Sequence, residues 1–286
     1  MKYTLATIAL ISMLASGTIL AADLSTMEQI KKTEKIRIGY RADKPPMSFV
    51  NRNNELVGYS IDLCLRMVDE MKEQLKNPNI SVEYVPVNAS NRFDALQNNS
   101  IDILCGATTK TLSRSELVDF TQPTFVTGAA LLTLKPLQIH NVPELSGKKI
   151  AVVKDTTTLD SLSKMLEREG IDAEIVMVKT ATEGMAALTK GEVHAFSGDQ
   201  IVLIGLIINS ENPKQFGLTE NVFSFEPFAL AVRKNDAEFR LVADRMLSTL
   251  YRTKKVLLLY DKWFGKYINK MPPLLEAMYL INSTPE

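Results

Sequence analysis

The sequence is poor in the groups from which metal centres and nucleophilic sites are built. Its 286 residues hold two histidines. His140 reads as a loop residue and His194 as a strand residue. Neither has partners at metal-ligand spacing, so no metal site is expected. Cysteine is as scarce, with Cys64 and Cys105 alone, and so forms no disulfide framework. A single bridge stays open in an oxidising compartment. Two buried free thiols are the plainer reading, since Cys64 falls on the apolar face of a helix and Cys105 on a strand, and a thiol packs as a small hydrophobe. Excess charge is lacking too. Lys plus Arg number 33, as do Asp plus Glu, for a formal net charge of +0. Such balance offers no footprint for nucleic acid or for an acidic membrane surface. Low-complexity tracts and internal repeats are absent. No nucleophile–base pair stands out, and the scattered methionines read as core filler at apolar helix positions.

Long apolar runs are confined to the N-terminus. Lys2 precedes an apolar stretch from Leu5 to Ala15, followed by small and polar residues and then Ile19-Leu20-Ala21-Ala22-Asp23. This reads as a secretory signal peptide over residues 1–22, cleaved near Ala21 or Ala22. The stretch is too short for a comfortable transmembrane span and no second one follows, which disfavours an uncleaved anchor. No Cys follows the cut, so a lipid anchor is not indicated. The remainder is long enough for two domains of ordinary size, with 45% hydrophobic and 23% charged residues in the whole chain.

Strands and helices alternate along it. Strands are expected at Lys35–Tyr40, Ser81–Val87, Asp102–Cys105, Lys149–Val153, Glu174–Val178, Val193–Phe196 and Phe228–Arg233. Between them, Ser60–Gln74 carries Ile61, Cys64, Leu65, Val68 and Met71 at helical spacing, with Ser60 as its cap. Further helices are expected at Asn91–Asn98, from Leu159, at Thr182–Thr189, Gln200–Ile208, Phe239–Tyr251 and Lys254–Phe264. The pattern predicts an α/β fold of mostly parallel sheets covered on both faces. Two extended segments, Phe125–Leu132 and Ser224–Ala229, read as crossings between lobes, and a pair of crossings makes a hinge. The expected division is lobe 1 at 23–126 and 227–270, lobe 2 at 127–226, and a surface tail at 271–286.

One segment concentrates recognition chemistry. A short apolar strand (Ile101, Ile103, Leu104) runs into the turn Gly106-Ala107-Thr108-Thr109. A helix start follows, with Ser113 as N-cap and Arg114 in the first turn. Free N–H groups and partial positive charge gather at a helix N-terminus. A guanidinium adds a planar fork that holds both oxygens of a carboxylate. Ligands in parallel sheets sit beyond the carboxyl ends of strands. Arg41, the run from Asn88 through Ser90 to Arg92, and the turn ending at Arg114 all follow strand ends and can meet at one mouth.

The run GATTKTLSR…VDFTQPTF resembles the signature of the periplasmic amino-acid-binding proteins of ABC transporters. The resemblance extends, in order, over nearly the whole mature chain and is nearest to the glutamate/aspartate-binding type. Gly39-Tyr40-Arg41 fits that type's first strand end. Lys44 stands where many relatives have a stacking aromatic, which the acidic-ligand type also lacks. Asn91-Arg92 through Leu96-Gln97-Asn98, Cys105 through Lys110, and Asp155-Thr156-Thr157-Thr158 match further stretches, and KWFGK matches the end of the last core helix. The resemblance implies two α/β lobes joined by a two-strand hinge, with the ligand in the cleft, a periplasmic location, a membrane permease as partner and no cofactor. It implies that Arg114, Thr108 and Thr109 hold an α-carboxylate and that Asp199 takes the ammonium. Thr156 and Thr157 would reach the ligand from the second lobe, and Arg41 and Arg92 would suit an acidic side chain, because two cations without an anion repel in a closing cleft. A monomer is expected.

Departures and plainer roles stand beside this reading. Ala89, Ala107 and Ala181 replace polar groups of the family pattern, with Ser90 as a substitute for the first. Asp155 reads as a cap of the helix after it. Arg114 could pair with Glu116 or Asp119, Arg41 and Arg92 could be solvated, Asp199 could cap the helix from Gln200, and the threonines could satisfy their own turn. Two other functions remain open. One is a periplasmic dehydratase of cyclohexadienyl or arogenate type on the same fold, with Glu226 as candidate acid. The other is a stand-alone ligand-sensing module.

Overall fold

The computed structural model describes residues 24–286 apart from 136, 138, 140, 141, 220 and 269. The signal-peptide expectation and His140 therefore lie outside the described residues. The first stretch runs α1 (Thr26–Thr33), β1 (Lys35–Tyr40), β2 (Asp43–Lys44), β3 (Ser48–Val50), β4 (Leu56–Val57), α2 (Tyr59–Leu75), β5 (Ser81–Pro86), α3 (Arg92–Gln97), β6 (Ile103–Cys105), α4 (Arg114–Leu117) and β7 (Asp119–Thr127). The middle stretch holds β8 (Ala129–Leu134), β9 (Lys149–Val153), α5 (Thr157–Glu169), β10 (Glu174–Val178), α6 (Ala181–Thr189), β11 (Ala195–Asp199), α7 (Gln200–Asn209) and β12 (Phe216–Leu218). The return adds β13 (Glu226–Val232), α8 (Ala237–Arg252), α9 (Val256–Phe264) and α10 (Pro273–Ile281).

Two five-stranded sheets result, in the orders β5-β1-β6-β13-β7 and β10-β9-β11-β8-β12. Within the first, β1 runs parallel to β5 and β6 while β13 is antiparallel to β6 and β7. In the second, β9 runs parallel to β10 and β11, and β8 is antiparallel to β11 and β12. Both are mixed because the crossing segments themselves join the sheets as strands. Each sheet has its own apolar core. Ile36 and Ile38 of β1 bury one face against Cys64, Met67, Val68 and Met71 of α2, and Ala151, Val153 and Phe196 belong to a separate cluster. The chain changes sheets at Gly128, where a Cβ would stand 2.3 Å from the Ser224 carbonyl, so only glycine fits that crossing. It returns between Leu218 and Glu226, and Glu226 pairs with Thr127 in the first sheet. The lobes also touch directly. Ile201 and Val202 of α7 are buried in the first lobe's core, and Ala89 packs into the second lobe's cluster.

Local expectations are corrected in three places, and the expected surface tail gains a helix. Cys64 and Cys105 are joined in a disulfide, with Cα atoms 6.4 Å apart. The apolar face of α2 lies on the first sheet, so the two sulfurs meet where free thiols were expected. The cap of α2 is Gly58, at φ 148° and with no room for a Cβ beside the Met47 carbonyl; Ser60 lies inside the helix and donates instead to the Gly106 carbonyl at 3.1 Å. Ser113 makes no capping bond; Thr111 Oγ1 accepts from the Arg114 N–H at 3.1 Å. The segment after Pro272 forms α10, which buries Leu275, Met278 and Tyr279.

Candidate functional site

Parallel strands deliver the candidate residues to one cleft. Arg41 follows β1, Ser90 and Arg92 follow β5, and Thr108, Thr109 and Arg114 follow β6. From the other lobe come Thr156 and Thr157 after β9 and Asp199 at the end of β11. The turn after β6 is fixed by hydrogen bonds to β13: Lys110 N donates to the Pro227 carbonyl at 2.8 Å and Ala229 N to the Thr108 carbonyl at 3.0 Å. Gly106 lets the Arg41 side chain lie over this turn, since a Cβ there would meet Arg41 Cγ at 3.1 Å.

Arg114 donates from Nη1 to the Thr109 carbonyl at 3.0 Å, and its guanidinium lies 5.5 Å from the Phe93 ring centroid. It does not pair with Glu116 or Asp119 among the described residues; Asp119 pairs with Lys234 at 3.2 Å. Burial pulls its pKa down, and the charges of Glu226 and Asp199 oppose that. Arg41 and Arg92 are 3% exposed, so neither is a solvated strand-end charge. Arg41 meets Asp43 Oδ1 at 3.2 Å. Arg92 donates to the Ala89 carbonyl and, at 3.2 Å, to the Asp155 carbonyl, and stacks 4.5 Å from the Phe93 centroid. Burial first, then Arg114 and Arg41, lower its pKa to about 9.

Asp199 occupies the N-cap position of α7 but makes no capping bond. Its Oδ1 is buried and has no hydrogen-bond partner. Burial raises its pKa to about 6 against the favourable charge of Lys44. The second-lobe threonines divide their work. Thr156 caps α5, donating to the Val153 carbonyl at 2.6 Å and accepting from Leu159 N at 3.3 Å, so its hydroxyl is spent on the helix and Asp155 is not the cap. Asp155, at φ 58°, instead accepts from the Ser90 hydroxyl. Thr157 donates to Glu226 Oε2 at 2.7 Å, as Thr109 does at 2.6 Å, and Ser224 donates to Glu226 Oε1 at 2.6 Å. Three hydroxyls from both lobes thus converge on one carboxylate.

Two charged neighbours, Asp43 and Lys44, escaped the reading of the sequence as site residues, and Glu226 entered it only as the candidate acid of the dehydratase alternative. Asp43 accepts from the Ala181 N–H at 2.7 Å, across to α6. Lys44 is 7% exposed, and Glu226 is a hub rather than an isolated acid. The signal for the first two was an Asp-Lys pair immediately beyond the strand end at Arg41. Across the described residues, the buried side-chain atoms left without a partner include Arg41 Nε, Arg92 Nε, Thr108 Oγ1 and Asp199 Oδ1. No group of three or more His, Cys, Asp or Glu residues among the described ones could hold a metal ion.

The model of the bacterial extracellular solute-binding proteins, family 3, matches residues 36–266. A glutamate/aspartate import solute-binding protein of Salmonella typhimurium is 31% identical over 249 residues, spanning 87% of this chain and 82% of that protein. An L-glutamate/L-aspartate-binding protein of Pseudomonas aeruginosa is 31% identical over 284 residues, spanning 97% and 94%. Among solved structures, an ancestral amino acid-binding protein, described as a precursor of cyclohexadienyl dehydratase, superposes with a TM-score of 0.73 at 26% identity, over 84% of this chain and 100% of that one.

Proposed function

We propose for this chain, which belongs to family 3 of the bacterial extracellular solute-binding proteins, the capture of an acidic α-amino acid, glutamate or aspartate, and its delivery to an ABC permease from the periplasm. The observation that carries the reading is the set of unpartnered buried atoms. Arg41 Nε, Arg92 Nε and the Thr108 hydroxyl can donate, and Asp199 Oδ1 can accept, within one cleft. A buried polar atom without a partner costs about 1–3 kcal/mol. A zwitterion with an additional carboxylate supplies acceptors for the first three and an ammonium for the fourth. Arg114 and Asp199 stand on opposite lobes, so one ligand engages both and favours closure. The names of the Salmonella and Pseudomonas relatives support the acidic side chain.

The dehydratase reading needs an acid aimed at a leaving hydroxyl. Glu226 accepts three hydroxyl hydrogen bonds and is held as an acceptor between the lobes. A turnover assay with prephenate or arogenate decides that point, and product formation would displace the transport reading. Calorimetry with L-glutamate and L-aspartate tests the proposal itself. Binding of both, with no heat from L-arginine, is expected. Arg114→Ala should abolish binding of every α-amino acid, and near-normal affinity in that variant would show the carboxylate to be held elsewhere.

A further inference from the structure

Glu226 stands where the chain re-enters the first sheet, and it is 1% exposed. Its carboxylate is surrounded by hydroxyls. Oε2 accepts from Thr109 at 2.6 Å and from Thr157 at 2.7 Å, and Oε1 accepts from Ser224 at 2.6 Å. The donors come from three places: the turn after β6 on lobe 1, the first residue of α5 on lobe 2, and the crossing between the lobes. Thr157 Oγ1 also lies 3.3 Å from Thr109 Oγ1. The carboxylate takes the Thr157 hydrogen, being both nearer and charged.

A hydroxyl carries one hydrogen, and an ionised carboxylate only accepts. With their hydrogens given to Glu226, Thr109 and Thr157 have none left for a ligand carboxylate. Their part in an α-carboxylate site is therefore indirect. Thr109 passes the anchor on, since its carbonyl accepts from Arg114 Nη1 at 3.0 Å. The next residue, Lys110, is held to the Pro227 carbonyl at 2.8 Å, directly beside Glu226. Thr157 opens α5, where main-chain N–H groups of the first turn point out of the helix. One carboxylate thus ties the turn that holds Arg114 on one lobe to the start of α5 on the other.

We infer that Glu226 is a positioning residue for ligand capture: through Thr109 and Thr157 it sets the Arg114 turn and the N-terminus of α5 at the separation at which both meet an α-carboxylate. The inference rests on the proposed capture of an amino acid and deepens it by naming the residue that brings the two lobes into register. What matters is where the acceptor oxygen lies, not the charge it carries. Every member of the bridge belongs to the chain, and none of them faces the ligand side chain in this role. Loss of the bridge therefore weakens all α-amino acids alike.

Calorimetry with L-glutamate, L-glutamine and L-arginine on the wild type, Glu226→Gln, Glu226→Asp, Thr157→Val and Glu226→Asp/Thr157→Val tests this, with melting curves to verify folding. Glu226→Gln drops the charge and keeps the place. Its amide oxygen can accept from both threonines while Ser224 accepts from the amide nitrogen, so affinity should stay within about threefold of the wild type. Glu226→Asp keeps the charge and withdraws the oxygens by one methylene. It should lose roughly tenfold to a hundredfold, the range for hydrogen bonds to a charged group, by the same factor for each amino acid that the wild type binds. Thr157→Val should lose a similar factor, and the double variant no more than the worse single one, because both changes break one bridge. A loss in Glu226→Gln as large as that expected of Glu226→Asp overturns the inference, and this arm stands even if Glu226→Asp does not fold. Wild-type affinity in Glu226→Asp overturns it too, as do additive losses in the double variant, which would put Thr157 on the ligand itself. A wild type that binds none of the three amino acids overturns the capture reading beneath; wild-type binding with any of the other adverse results overturns this inference alone.

Discussion

Asp199 shows how one residue couples folding, pH and ligand. Its carboxyl is raised from 3.8 to about 6, chiefly by burial, and its Oδ1 lacks a partner. A carboxyl whose folded pKa lies above its unfolded value binds more protons in the folded state between the two values. The stability of the unliganded protein from this group is therefore full below about pH 4 and falls as pH rises toward 6. Ligand affinity should move in the opposite direction. An α-ammonium prefers the ionised carboxylate, so binding of an amino acid should strengthen as pH rises through about 6, with proton release below it. Calorimetry in two buffers of different ionisation heat measures the release. Asp199→Asn should raise the melting temperature at neutral pH, flatten this pH dependence and abolish binding. Unaltered binding with unaltered pH dependence would detach Asp199 from the ammonium.

Elements explain what a sequence displays and what it hides. Lys35–Tyr40, Lys149–Val153 and Glu174–Val178 were readable to the residue because each is a β-rich run closed by a polar or glycine-bearing stretch. The helical stripe of α2 was readable for the same reason at a different period. The small sheet β2-β3-β4 was not, since strands of two or three residues carry no period. It is this sheet that sets Asp43 between Arg41 and the Ala181 N–H, so the missed element and the missed contacts are one failure. Arg41, Arg92, Arg114 and Asp199 could be grouped as candidates because strand ends of parallel sheets converge, whereas the commitments of Thr156 and Glu226 depend on partners from distant segments. The disulfide was hidden likewise, as its cysteines are 41 residues apart and meet only through the packing of α2 on β6. That link also holds the carboxyl end of β6, from which the Gly106–Thr109 turn departs. Constraining such a loop stabilises by about 2–4 kcal/mol. Cys105→Ser should lower the denaturant midpoint by that equivalent and weaken ligand binding through the turn. An unchanged midpoint in reductant would show the bridge to be energetically idle.

At the scale of the molecule, the two lobes hold each other by more than the hinge. Asp43 reaches the Ala181 N–H, Ser90 reaches Asp155, and Thr109 and Thr157 share Glu226. Closure therefore has a protein–protein component to which ligand contacts add, and a small ligand can shift the balance because only the difference between open and closed states must be overcome. The lobes also approach closely at Gly205 of α7, where a Cβ would stand 2.4 Å from the Pro45 carbonyl of the opposite lobe. The obstructing atoms are backbone, which cannot rotate aside. Gly205→Ala should thus hold the lobes apart while leaving each folded, and within α7 alone it should favour the helix by roughly 0.5–1 kcal/mol. The expected result is a ligand affinity lowered tenfold or more, a larger radius of gyration with ligand by small-angle X-ray scattering, and a melting temperature without ligand that does not fall. Wild-type affinity in Gly205→Ala would mean that this contact is not part of the state that grips the ligand.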